Sequence, residues 1–159
     1  MTEKKEATNP GRTGRKWGIA LVALAGLAFA AIAWWPPGLE SGPDRANPAA
    51  AALGQTLFKT QCAACHGEGG AGEISGQPMG GRKPGGLYIA PALNGTGHAW
   101  HHPPDMLFRI VKFGSPAKGS TMAGWEGRMS DPEIWAVLDY LFSLWPEPLR
   151  LRLQQARGG

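Results

Sequence analysis

The chain has 159 residues, a formal net charge of +4, 9% aromatic residues and 18% charged ones, with 24 Gly and 14 Pro. That is enough for one modest domain with appendages, and so much glycine and proline points to long ordered loops. The charge excludes a nucleic-acid binder: residues 1–16 hold five basic against two acidic side chains, so only +1 is left for the rest, too little for the basic stripe that phosphates require.

The basic leader, residues 1–16, is followed by Trp17–Trp35, 19 residues without a charge or a strongly polar side chain. At 1.5 Å per residue a helix of this length covers about 28 Å, close to the hydrocarbon thickness of a bilayer. Trp17 at one end and Trp34 and Trp35 at the other sit where interfacial aromatics belong. Basic residues precede the run, so the positive-inside bias predicts a single-pass inner-membrane anchor with a cytoplasmic N-terminus and a periplasmic body. The alternative is a cleaved signal peptide, for which Ala28-Phe29-Ala30 and Ala31-Ile32-Ala33 offer small-x-small sites. The apolar run exceeds the usual signal core, which favours a retained anchor, and both readings export the body. Residues 36–48 contain four prolines and no hydrophobic pattern, so they read as a linker that reaches roughly 40 Å if extended.

Residues 49–146 form the expected domain. Ala49–Gln61 reads as a helix, and a Gly-rich loop without periodicity runs from Gly67 to about Ala90. Asp105–Phe113 places Met106, Ile110 and Phe113, with Leu107 and Val111 four apart, at helical spacing. Ser130 and Glu133 form a capping box ahead of a helix whose apolar face is Ile134, Val137, Leu138, Leu141, Leu144 and Trp145. It stops before Pro146, and residues 147–159 are expected to be a flexible tail. No strand pattern is visible, so the expected class is all-α.

Cys62-Ala63-Ala64-Cys65-His66 contains both cysteines of the chain. Two thiols at this spacing capture the two vinyl groups of a haem as thioethers, and the next residue sets an imidazole under the iron. A structural zinc site needs four ligands and no second Cys pair exists; a thioredoxin-like pair needs a βαβ pattern, and none is seen. One covalently attached haem c is therefore the expected cofactor. It also gives a glycine-rich domain of this size apolar area that its side chains do not supply.

With these residues, Leu53 to Trp145 resembles class I cytochromes c, small all-α electron carriers with several helices wrapped round one haem. Gly54 and Phe58 match the first helix of that family and Tyr140 the last, where the two helices cross. The resemblance implies that Pro91 is the proline whose carbonyl accepts a hydrogen bond from the ligand His66. Such a bond orients the ring and raises its basicity.

Position sorts the methionines for the sixth ligand. Met79 lies in the Gly-rich loop, Met106 on a helix and Met129 just before the final cap, whereas Met122 lies in a loop of small residues between helices. Met122 matches the distal ligand of the resembled family, although Ala123 follows it where the family usually has Pro; Met129 is the runner-up. Trp100 and Trp125 are candidate partners for haem propionates, as are Arg109, Lys112 and Arg128, with a solvated surface as the alternative. His98, His101 and His102 lie within five residues. They suit a second metal such as copper, ligation of the haem iron, or simply the turn that starts the next helix, the last being preferred.

The resulting expectation is a membrane-tethered electron carrier and not an enzyme. It would exchange single electrons with membrane-bound redox proteins: a terminal oxidase, a quinol-oxidising complex or a dehydrogenase. The alternatives are a haem sensor or enzyme with a labile sixth ligand, and a copper-handling cytochrome using the His98/His101/His102 cluster.

Overall fold

The computed structural model describes Gly42 and residues 47–157, without the side chains of 156 and 157. The leader, the anchor expected at 17–35 and most of the 36–48 linker lie outside the described residues. Among the described residues, no helix is long and apolar enough to cross a membrane.

Helix α1, Pro48–Gln61, starts where Asn47 turns its side-chain oxygen back onto the N–H groups of Ala49 and Ala50 (3.0 and 3.2 Å), with Pro48 in the first turn. A one-turn helix α2, Ala63–His66, follows directly and ends at Gly67. Gly67 has φ 72°, and a Cβ there would lie 2.5 Å from the Gly72 carbonyl oxygen, so only glycine lets the chain turn back at this point. The next stretch is loop apart from an antiparallel pairing of β1, Gly81–Arg82, with β2, Tyr88–Ile89, in the register Gly81 to Ile89. A sequence pattern of alternation needs more than two residues per strand, so this pairing leaves no trace in the sequence. Helix α3 spans Pro104–Phe113, α4 spans Asp131–Ser143 and α5 spans Glu147–Arg157. The Glu133 carboxylate takes both the N–H and the hydroxyl of Ser130 (2.8 and 2.7 Å), closing the start of α4 as its capping box predicts.

The core is the crossing of α1 and α4. Phe58 and Ile134 are sealed in it, and the Phe58 and Tyr140 rings meet at 5.5 Å. Backbone contact is closest at Gly54, where a Cβ would stand 1.8 Å from the Ala136 carbonyl oxygen. Helix α3 adds Leu107, Phe108 and Val111, and Phe108 stacks on Trp135 at 4.8 Å. Met106 and Phe113, expected on the apolar face, are about half exposed at 43% and 54%. The inward side keeps the expected Leu107, Ile110 and Val111 and adds Phe108, while Phe113 lies under the cations of Arg109 and Lys112 at 6.0 and 5.7 Å.

The flexible tail expected at 147–159 is corrected by α5. Leu149 and Leu153 pack against the core cluster, and prolines in a first turn are compatible with a helix. The Pro-Glu-Pro run therefore starts an element where it was expected to end structure.

Replacing Gly54 by Ala drives a methyl into the α4 backbone and is expected to cost at least about 3 kcal/mol in denaturant unfolding of the full chain. Gln55→Ala, on the exposed side of the same helix, is the control expected to stay within about 0.5 kcal/mol. Equal midpoints for the two variants would contradict this packing.

Candidate functional site

The end of α1 and the turn of α2 place the chemistry-bearing residues. Cys62 N–H donates to the Phe58 carbonyl (2.9 Å) and His66 N–H to the Cys62 carbonyl (3.0 Å), so the helical hydrogen-bond ladder continues through the motif. At this winding, positions 62, 65 and 66 share one face. All three line a cavity of about 690 Å³, within the range of roughly 300–1,000 Å³ usual for ligand pockets. Its other walls are largely apolar: Leu93 and Ile89 from the loops, Leu107 and Ile110 from α3, Leu138 and Leu141 from α4.

His66 is buried, and its Nδ1 donates to the Pro91 carbonyl at 3.0 Å. A carbonyl only accepts, so this bond puts the proton on Nδ1 and leaves the Nε2 lone pair for a ligand. Burial pushes the pKa of His66 below its ordinary value, against the Pro91 bond and the nearby Glu73 carboxylate, which act the other way. The Cys62 thiol is raised to about 11 by burial and then by Cys65. A disulfide-exchanging pair needs its attacking thiol shifted downward, so this pair is not tuned for that chemistry.

Met122 lines the same cavity from the loop between α3 and α4. Ser115 N–H donates to its carbonyl and its own N–H donates to Ser120 Oγ, both at 3.2 Å, while Gly114 and Ala123 form a β-bridge. Gly124 lies so close to α3 that a Cβ would meet the Lys112 carbonyl oxygen at 2.6 Å, which fixes the base of the loop. Met129 packs on the hydrophobic core and does not reach the cavity. Met79 and Met106 stand on its rim, 57% and 43% exposed.

Residues 49–141 match the family described as cytochrome c oxidase, cbb3-type, subunit III. The chain belongs to this family of c-type cytochromes. A cbb3-type cytochrome c oxidase subunit FixP from Bradyrhizobium diazoefficiens is 30% identical over 116 residues, which cover 69% of this chain and 35% of the relative. The chain spans about a third of the length of the curated relative it matches.

Membership implies that this cytochrome binds haem c, and the cavity fits that group. It is apolar and large, and it gathers two cysteines, a tautomer-fixed imidazole and a thioether sulfur on its walls. Other expected residues fall differently. Trp125 lines the cavity with the Arg128 guanidinium 4.2 Å over its ring. Trp100 does not line it, and its indole N–H donates to the Gly97 carbonyl at 2.9 Å. Arg109 and Lys112 also stand away from the cavity, and Lys112 pairs with Asp131 at 2.7 Å. The three histidines do not converge. His98 and His102 line the cavity with rings 5.6 Å apart, while His101 turns against Trp100 at 3.7 Å. Among the described residues no group of three or more His, Cys, Asp or Glu is placed to hold a metal ion.

Other wall residues lie outside any site motif of the sequence. Trp145, expected only on the apolar face of the helix capped by Ser130, lines the cavity and donates its indole N–H to the Leu93 carbonyl at 2.9 Å, tying the end of α4 to the loop after Pro91. Glu73, Lys83 and Tyr88 reach the cavity from the Gly-rich loop, where neither periodicity nor motif marks them.

Removing the Trp145 donor strands a half-buried carbonyl beside the cavity. Trp145→Phe is expected to lower the unfolding free energy of the full chain by roughly 2 kcal/mol. An unchanged denaturant midpoint would show that this bond does not hold the loop.

Proposed function

We propose that this cytochrome is a membrane-tethered, single-haem electron carrier on the periplasmic face of the inner membrane. The observation that carries the reading is that Cys62, Cys65, His66 and Met122 all open onto one apolar cavity. In this scheme Cys62 and Cys65 would hold the haem as thioethers, and His66 Nε2 and the Met122 sulfur would be its two protein ligands. Bound there, the haem supplies reversible one-electron chemistry. The Pro91 carbonyl keeps the His66 ring in one orientation and one tautomer. The bonds of the 114–124 loop hold the backbone of Met122 at the cavity wall, and its soft, neutral sulfur would favour the reduced iron. With both residues as ligands no open coordination position would remain, which supports transfer of electrons over catalysis on a bound small molecule.

The basic leader and the uncharged run of 19 residues support the tether and its orientation. A tethered domain meets membrane redox proteins at a raised effective concentration. Of the three partner classes, a terminal oxidase is the best supported, because the matched family and the FixP relative are both named for the cbb3-type oxidase.

Two measurements test this. The purified full chain is expected to show a low-spin haem spectrum that does not respond to carbon monoxide, and Met122→Ala is expected to bind carbon monoxide readily while Met129→Ala behaves like the parent. Rapid binding by the parent would support a five-coordinate sensor or enzyme instead. In cell fractions, haem stain is expected in the membrane pellet for the full chain and in the soluble fraction for a chain exported without residues 17–35. Soluble recovery of the full chain would remove the tether.

A further inference from the structure

Glu73 and Lys83 line the cavity, yet the ligation scheme assigns neither of them a part. Glu73 is bound to both sides of the His66 site. It follows Gly72, whose N–H donates to the His66 carbonyl at 2.7 Å. Its own N–H donates to the Ala90 carbonyl (3.0 Å) and its Oε2 accepts the Ala90 N–H (3.0 Å). Ala90 directly precedes Pro91, the residue that accepts the His66 ring proton. The second carboxylate oxygen, Oε1, takes the Lys83 ammonium. Lys83 is itself fixed in the β1–β2 turn, where its N–H donates to the Leu87 carbonyl (2.8 Å) and its carbonyl accepts from Gly86 (2.9 Å).

The two side chains are only partly screened, with exposures of 29% for Glu73 and 38% for Lys83. The Lys83 hydrogen bond first, and the Ala90 N–H next, hold the Glu73 carboxyl below its ordinary pKa, so it is ionised near neutral pH. Its charge is felt at the His66 ring, which it stabilises in the protonated form. A centre that changes by one positive charge on oxidation responds to the same field: a fixed anion stabilises the oxidised state and a fixed cation the reduced state.

We propose that Glu73 and Lys83 are a charge pair at the His66 wall of the cavity whose opposing fields offset each other at the iron, so that either one alone shifts its potential, with Glu73 also positioning the Pro91 carbonyl. This rests on the haem reading above. Because the pair is nearly neutral as a unit, the two fields largely cancel, and loss of one member alone exposes the field of the other.

The test is a redox titration of the full, haem-loaded chain near neutral pH and at low ionic strength, for the parent, Glu73→Gln, Lys83→Met and the double variant. In Glu73→Gln the side-chain amide oxygen can still accept the Ala90 N–H, and in Lys83→Met most of the aliphatic stem is kept. The expected result is a raised midpoint for Glu73→Gln, a lowered midpoint for Lys83→Met, and a double variant near the parent. A purely structural role would move both single variants the same way; that outcome, or no movement in either, overturns the proposal. If Glu73→Gln fails to take up haem, Lys83→Met decides alone: a lowered midpoint upholds the charge pair and an unchanged or raised one overturns it. A parent without haem sinks the functional reading and this proposal together, whereas a haem-loaded parent whose variants do not shift sinks only the charge pair.

Discussion

The hydrogen bond from His66 Nδ1 to the Pro91 carbonyl joins the two halves of the site. On one side lies the helical run that carries Cys62, Cys65 and His66; on the other lies the loop that leads through Leu93 to Trp145 and α5. Without this bond the imidazole would be free to rotate and to exchange its ring proton, and neither its orientation nor its lone pair would be defined. Burial reinforces the effect by keeping the ring neutral, the only state in which its second nitrogen can act as a ligand.

Packing supplies the rigid frame for that bond. The α1–α4 crossing is tight because Gly54 removes every side-chain atom between two backbones. Cys62 caps the first of these helices, and Leu138 and Leu141 of the second form part of the cavity wall, so the crossing sets the distance between motif and wall. Met122 is held more lightly, by a two-residue bridge, a hydroxyl bond and the close approach of Gly124 to α3. The Cys62–His66 motif is thus built into helices and Met122 into a pinned loop.

Legibility of the sequence follows the range of the interactions. Cys62, Cys65 and His66 are neighbours in sequence, so their spacing alone carries the motif, and the Ser130–Glu133 cap is equally local. The partnership of Gly54, Phe58 and Tyr140 is visible only through the family resemblance, because residues on distant helices leave no joint pattern in a single chain. Helix α5 is hidden because Pro146 and Pro148 read as breakers, although both fall where a helix begins. The Trp100 bond is equally hidden: its indole N–H is taken by a carbonyl three residues back, which composition cannot distinguish from a bond to a ligand. Glu73 and Lys83 depend on where a glycine-rich loop folds, which no period encodes.

The proposed function stands on Cys62 and Cys65 fastening a haem covalently in this cavity. The most direct measurement is the intact mass of the mature full chain, exported in cells with haem-attachment machinery and unfolded in acid. The account predicts the polypeptide mass plus one haem, with the added mass lost when both cysteines are replaced by alanine. A mass equal to that of the bare polypeptide would contradict it.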